Sequence, residues 1–306
     1  MSHQPLTSPR VVQEILARHG LRPNKQLGQN FLIDENIVHK IIAAAELGPE
    51  DAVLEIGPGL GVLTGPLAER SRQVIAVEVD KGLIPVLEEN LASYPNIKII
   101  WGDILKIEPE KLLAGLSSPL KVVANLPYYI TSPVIMALLT GPLPLERLVL
   151  MVQREVARRL TAAPGSKDYG VLAVAVQYYT RPEIVALVPR TVFFPRPDVD
   201  SAVVRLMMRP RPAVAVGDEA LFFRLVRGAF GRRRKTLLNS LEGEFGAQYS
   251  REELAAFLQA GGIEPSRRGE TLTLEEFALL ARIITKKEPG NTAAEAQVPS
   301  KEAKKG

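Results

Sequence analysis

The chain contains no cysteine, which excludes disulfides, thiolate nucleophiles and cysteine-ligated zinc together. Histidine is almost as scarce, with only His3, His19 and His39, all near the N-terminus. A histidine-based triad or multi-histidine metal site would need one of these, so no metal centre is expected. No apolar run is long enough to cross a bilayer. Met1 to Pro9 is polar and lacks the apolar stretch of a secretory leader. These absences lead to the expectation of a cytoplasmic monomer that does not associate with membranes.

What is present suits a large core: 306 residues, 46% of them hydrophobic, make one large domain or two. The formal net charge of +4 says little, but its distribution says more. Arg224, Arg227, Arg232, Arg233, Arg234 and Lys235 follow one another with no acidic residue between them. Such a block either meets nucleic-acid phosphates or forms a solvated helix face.

Ser8-Pro9 reads as the start of a helix running to Arg18, with Gly20 as its stop, and Asp34 as the cap of a second helix. Strands and helices then alternate. Strands are expected at Ala52 to Ile56, Gln73 to Val79, Ile97 to Trp101, Lys121 to Asn125 and Arg147 to Val152. Helices are expected at Leu60 to Arg70, Lys81 to Ser93, Ser132 to Leu139, Gln153 to Ala162 and Val171 to Tyr179. This pattern implies an α/β fold with a parallel sheet covered on both faces. Glu183 to Val188 and Ala202 to Met208 suit two more strands, and Arg209 to Pro212 reads as a linker. Helical patterns alone follow, at Leu221 to Phe230, Glu252 to Ala260 and Leu274 to Thr285. The expected organisation is an N-terminal helical extension (1–24), an α/β domain (25–209), a small all-helical domain (213–287) and a disordered tail (288–306).

The first strand runs into Glu55-Ile56-Gly57-Pro58-Gly59-Leu60-Gly61. Glycines there let the backbone approach a ligand, although tight strand-to-helix turns use glycine anyway. The Gly-x-Gly-x-Gly spacing differs from the Gly-x-Gly-x-x-Gly of dinucleotide binders, which disfavours a nicotinamide-dependent oxidoreductase. Glu78, ending the second strand, suits a ribose diol, or is a solvated strand-end acid. Asp103, after the third strand, suits an adenine amine, or is a helix cap. Three adjacent strand ends offering fitting groups point jointly to an adenosine cofactor.

Asn125-Leu126-Pro127-Tyr128 follows the fourth strand. An amino nitrogen on a purine ring is a poor nucleophile because its lone pair is delocalised. The side-chain carbonyl of Asn125 and the backbone carbonyl of Leu126 can accept its two N–H bonds and favour a tetrahedral nitrogen. Pro127 biases Leu126 to an extended geometry, and Tyr128 offers a ring face to an extruded base. The alternative is a simple turn carrying a core tyrosine.

Taken together the motifs resemble the small-subunit ribosomal RNA adenine dimethylase family, related to the erythromycin-resistance methylases. The likeness rests on Leu27-Gly28-Gln29-Asn30-Phe31-Leu32, Glu55 to Gly59, Glu78, Gly102-Asp103 and Asn125 to Tyr128. It continues through Ser166 to Gly170, Phe193 to Pro197, Val199 to Leu206 and Arg233 to Thr236, spanning roughly Lys25 to Thr285. Tyr129 and Thr131 stand where many members carry Asn and Ser. The resemblance implies a class I (Rossmann-like) S-adenosylmethionine methyltransferase sheet with a small C-terminal helical domain. It implies that Asn30, Leu32, Gly57, Glu78, Asp103 and Asn125 hold S-adenosylmethionine, with Gln29 a further candidate, and that Phe193 packs on the target adenine opposite Tyr128. It also implies dimethylation of N6 on two adjacent adenines in the 3′-terminal hairpin loop of 16S rRNA, within the 30S subunit or its precursor. Arg232, Arg233, Arg234 and Lys235 are the expected rRNA contacts. A non-catalytic ribosome-assembly factor on the same fold, and a 23S rRNA or DNA adenine methylase, are the rival readings.

Overall fold

The structure is a computed structural model that describes residues 6–113, 119–232 and 234–287. The expected tail 288–306 lies outside the described residues. Nine strands are described: β1 (Phe31–Leu32), β2 (Ala52–Ile56), β3 (Gln73–Glu78), β4 (Ile97–Trp101), β5 (Leu120–Asn125), β6 (Leu145–Gln153), β7 (Thr180–Val188), β8 (Phe193–Phe194) and β9 (Ser201–Met208). The helices that matter below are α1 (Pro9–Arg18), α2 (Glu35–Ala45), α3 (Thr64–Ala68) and α4 (Ile84–Asn90).

Seven strands form one sheet in the order β4-β3-β2-β5-β6-β9-β7. From β4 to β6 every neighbour is parallel, whereas β9 runs antiparallel to both β6 and β7. The parallel sheet expected of the first five strands is present, and the two later strands, expected without an orientation, join its edge antiparallel. The parallel strands are reached by crossover helices, while β7 and β9 are joined without one. Every residue of β2 is buried, as a strand covered on both faces requires. One face is closed by Ile37, Val38, Ile41 and Ile42 of α2 together with Leu63 and Leu67, packed on Val53, Val74, Val123 and Val149.

Local chemistry sets the helix ends. Pro9 opens α1 and Gly20 leaves it at φ +65°; the Asp34 carboxylate accepts from Ile37 N at 3.0 Å to cap α2. The expected helix from Leu60 to Arg70 is corrected to the short α3. Gly57, Gly59 and Gly61 sit at φ +70°, +62° and +91° and keep the chain in a turn up to Leu63. The expected helix at Lys81 is likewise delayed by one 3₁₀ turn (Lys81–Leu83), after which Pro85 falls in the first turn of α4.

The described chain divides into two compact units. One comprises the residues up to Ala162 with Ala175–Pro212, and the other Ala163–Val174 with the residues from Ala213 onward. Ala163–Val174 was expected with residues 25–209. The second unit carries four helices after residue 213, Glu219–Gly231, Leu237–Phe245, Arg251–Ala260 and Leu274–Lys287. Leu237–Phe245 was not foreseen, because Gly243 interrupts its pattern; a Cβ there would come within 3.1 Å of the Arg232 guanidinium.

An ion cluster lies at the amino ends of the parallel strands. The Lys121 ammonium donates to Asp51 Oδ2 at 2.7 Å and to the Glu46 carbonyl at 2.8 Å. Arg147 Nη1 meets Glu46 Oε2 at 2.7 Å, and Arg205 bridges Glu46 and Glu183 at 2.6 and 2.7 Å. Glu46 holds a left-handed φ of 45°, a cost of about 1–2 kcal/mol that these contacts offset. Arg147 holds the Glu46 carboxyl below the usual carboxylate range. Burial pushes Asp51 up, but Lys121 and the Gly48 N–H outweigh it and its pKa falls. Groups lowered on folding stabilise above the ordinary carboxylate range and lose that contribution as pH falls through the folded value. We therefore expect Lys121→Ala to lose about 2–4 kcal/mol in urea unfolding at neutral pH, somewhat under a fully buried pair because Asp51 keeps some water. The deficit should shrink below about pH 4; a pH-independent deficit would contradict the account.

Candidate methyl-transfer site

One cavity of about 190 Å³ opens at the carboxyl ends of β2, β3, β4 and β5, where ligands of open α/β sheets bind. The sequence-predicted cofactor residues Asn30, Leu32, Gly57, Glu78, Asp103 and Asn125 all line it, as do Leu126, Pro127, Tyr128 and Phe193. The ends of β2, β3, β4 and β5 bring together Gly57, Glu78, Asp103 and Asn125 with Leu126, Pro127 and Tyr128. Asn30, Leu32 and Phe193 join them through a pairing the sequence did not reveal, β1 with β8, in which Phe31 faces Phe194 and Leu32 faces Phe193. That two-stranded ribbon joins the Gln29-Asn30-Phe31-Leu32 loop to a segment far along the chain.

Asn125 is oriented by a bond whose direction is unambiguous. A backbone carbonyl can only accept, and that of Asn30 faces the Asn125 amide at 3.1 Å. The atom there is therefore Nδ2, leaving Oδ1 available as an acceptor. Asn30 in turn donates its own Nδ2 to the Gly28 carbonyl at 2.9 Å. Gly28, at φ +62°, allows the close approach, since a Cβ would meet Pro127 Cβ at 3.3 Å. Gln29 is engaged on both ends of its amide, donating to Asp80 at 2.7 Å and accepting from Asn24 N at 2.8 Å, so it pins the loop to the end of β3.

The Tyr128 hydroxyl lies 3.1 Å from Ser201 Oγ of β9, which anchors the ring from behind. The turn after it is closed by Thr131, whose buried hydroxyl donates to the Pro127 carbonyl at 3.1 Å. A serine in its place would keep that bond. Tyr129 is exposed, and Phe193 is buried against the β1 ribbon.

Glu78 accepts from Gly59 N at 3.2 Å through one oxygen and from Asp80 N at 2.8 Å through the other. Burial raises its pKa, with those N–H groups working in the opposite direction. Asp103 accepts from Leu105 N at 3.1 Å, so a local turn bond coexists with its place on the cavity wall. Glu55 belongs to the glycine motif, whose spacing assigns it no role of its own. It lines the cavity, is fully buried, and its pKa is pushed up to about 8, first by burial and further by Glu78, with Thr64 opposing only in part. A charged residue inside the otherwise apolar run Ala52 to Ile56 was the signal that could have singled it out. Among the described residues no cluster of His, Asp and Glu could hold a metal ion, and no helix is long and apolar enough to cross a membrane.

In the second unit the basic block is divided. Arg224 is not free for phosphates: it donates to Glu244 at 2.9 Å and to Gln248 at 2.7 Å and stacks on Phe245 at 4.3 Å. Arg232, Arg234 and Lys235 are exposed, with the Arg232 guanidinium resting over Gly243. Arg233 lies outside the described residues.

The family model described as ribosomal RNA adenine dimethylase matches residues 20–286. A ribosomal RNA small subunit methyltransferase A of Moorella thermoacetica is 51% identical over 286 residues, 91% of this chain and 98% of that protein. Among solved structures, a dimethyladenosine transferase from Plasmodium falciparum aligns with TM-score 0.71 at 27% identity, covering 83% of this chain and 97% of its own. The 23S rRNA methyltransferase ErmE aligns with TM-score 0.65 at 32% identity, covering 84% and 100%.

The raised pKa of Glu78 gives a pH test. With Glu78 as the acceptor of a ribose diol, a role that needs its ionised form, adenosine-cofactor affinity is expected to fall as pH drops through a value above the ordinary carboxylate range. Glu78→Gln should weaken binding by about 10–100-fold at neutral pH, the worth of one hydrogen bond to a charged group, and flatten that pH profile. Calorimetric titration with S-adenosylhomocysteine measures both.

Proposed function

Since the chain belongs to the ribosomal RNA adenine dimethylase family, we propose that it dimethylates N6 of two adjacent adenines in the 3′-terminal hairpin loop of 16S rRNA, during small-subunit biogenesis. The methyl donor is S-adenosylmethionine. The greater likeness to small-subunit methyltransferases than to ErmE supports 16S over 23S rRNA. We place the enzyme in the cytoplasm as a monomer acting on the 30S subunit or its precursor. In this reading the α/β residues carry out the methyl transfer, and the helical residues from Ala213 onward hold rRNA.

The residues present fit the donor. The turn at Gly57 and Gly59 leaves backbone close to the cavity, the carboxylate of Glu78 is already held in place by two backbone N–H groups, and Asp103 stands on the adjacent strand end. Gly57, Glu78, Asp103, Asn30 and Leu32 would hold it. When bound it supplies an electrophilic methyl on a sulfonium whose departure leaves a neutral thioether, so neither a metal nor a covalent enzyme intermediate is required.

The single observation that carries the proposal is the Asn125–Asn30 bond. With Nδ2 tied to a carbonyl, Oδ1 is the only atom of that amide able to meet an incoming N–H, and the Leu126 carbonyl beside it supplies a second acceptor. Two acceptors on one amino group draw its hydrogens out of the purine plane and return the lone pair to nitrogen. Tyr128, anchored on Ser201, and Phe193 offer ring faces to the extruded base. One stacked ring contributes about 1–3 kcal/mol, comparable to the few kcal/mol that flipping costs, so positioning by both is needed. Orientation of this kind can lower a barrier by about 7–11 kcal/mol.

Asn125→Ala should reduce methyl transfer to undermethylated 30S particles by about 10²–10³-fold or more, with only a modest loss of cofactor affinity; full activity would refute the assignment. For the basic residues, Arg232→Ala, Arg234→Ala and Lys235→Ala combined should flatten the dependence of log affinity for rRNA on log salt by about 0.7–0.9 per lost phosphate contact. An unchanged slope removes them from the interface.

A further inference from the structure

The family match begins at residue 20, yet the cavity does not. Leu6 and Val12 are part of its lining. Val12 is fully buried in α1, and with Val11, Ile15 and Leu16 it forms a cluster on Phe31, Leu60, Leu83 and Val86, against which Leu6 also packs. Three of those partners, Phe31, Leu60 and Leu83, line the cavity themselves. The helix is thus packed on the back of the glycine turn and of the segment that follows Glu78.

Its far end is pinned to α4. Arg18 Nη1 and His19 Nε2 reach the two oxygens of Glu89 at 2.7 and 3.0 Å, and Leu21 N returns to the Leu16 carbonyl at 2.8 Å. Leu21 then packs where a Cβ on Gly82 would stand, at 3.1 Å. These contacts to Glu89 lie at the surface and contribute little on their own, but they fix the direction in which α1 crosses. The apolar cluster supplies the adhesion.

We propose that the segment Leu6–Leu21 is an apolar wall of the methyl-donor site that retains the adenosine cofactor and slows the release of its demethylated product. This rests on the reading of the cavity as the S-adenosylmethionine site. Leu6 and Val12 are positioning residues: they shield the bound cofactor from water and take no part in the chemistry. A wall of this kind acts on affinity and residence time and leaves the reacting geometry at Asn125 unchanged.

The test uses the full-length protein carrying Leu6→Ala or Val12→Ala. Affinity for S-adenosylhomocysteine is measured by calorimetry, and release of tritiated S-adenosylmethionine by a cold chase. Each variant should bind roughly threefold to tenfold more weakly, the effect of removing one to two methyl groups' worth of contact, through faster release. KM for S-adenosylmethionine should rise in step, with kcat on 30S particles at saturating cofactor within about twofold of wild type. Val12→Ala touches the core of α1 and its melting temperature is to be checked; Leu6, in the turn before the helix, carries the test without that complication. Unchanged affinity and release in Leu6→Ala overturn the proposal, as does a kcat that falls while KM stays constant. A wild-type protein that binds neither compound would overturn the assignment of the cavity itself, so the two failures are distinguishable.

Discussion

The backbone carbonyl of Asn30 accepts from Asn125, and much of the site follows from that one bond. It decides which end of the amide faces outward, because a carbonyl cannot donate. It also ties the end of β5 to a loop that precedes the sheet by many residues. For the bond to form, the loop must be held close, and three separate contacts hold it: Gly28 against Pro127, Gln29 on Asp80, and the ribbon of β1 with β8. Each is modest alone. Together they determine the position of the Asn125 amide, and with it the acceptor that we propose meets the adenine amine, where about an ångström of displacement would be costly in rate.

The charges around the cavity obey a second constraint. Two carboxylates, Glu55 and Glu78, are buried near one another beneath the glycine turn, and burying two negative charges there would be costly. The protein resolves this by giving them different surroundings. Glu78 receives two backbone N–H bonds, which favour its ionised form. Glu55 receives no comparable donor, and a pKa of about 8 leaves it largely protonated at neutral pH. Glu78 thus keeps its backbone donors at the cavity, and the second carboxyl serves as a neutral wall.

The strand ends were readable from the sequence because their chemistry is local. Glycines at a turn, an acid ending β3 and Asn-Leu-Pro-Tyr ending β5 each announce themselves within a few residues. The capped helix α2 and the helix after Ser8-Pro9 were readable for the same reason. What escaped was non-local or cumulative. A two-residue ribbon such as β1 with β8 has no periodicity to detect, and the antiparallel course of β9 depends on a connection rather than on composition. Arg224 looked like the rest of the basic block, and only the fold shows it occupied by Glu244, Gln248 and Phe245. Helix α1 was visible, but nothing in its pattern said that its apolar face would reach the cavity.

The two ends of the sheet divide their tasks in a way that ties stability to function. At the amino ends Lys121, Arg147 and Arg205 are neutralised by Asp51, Glu46, Glu146 and Glu183; Glu146 joins Lys121 of β5 to β6, and Glu46 and Glu183 join β6, β9 and β7 through side chains. Such charges would be harmful at the carboxyl ends, where a cationic donor and an anionic RNA must both be accepted and where fixed pairs would compete for them. Placing the ion cluster at the far end secures the register of the mixed strands, since a slip of one residue would separate the buried Lys121 and Arg147 side chains from their acids and leave two buried cations without partners. Asn125 and Lys121 lie on the same strand, one at each end of β5. The same register that pairs Lys121 with its acids therefore delivers Asn125 to the Asn30 carbonyl, and the placement of the acceptor we propose for the adenine amine is fixed in part by charges at the opposite end of the strand.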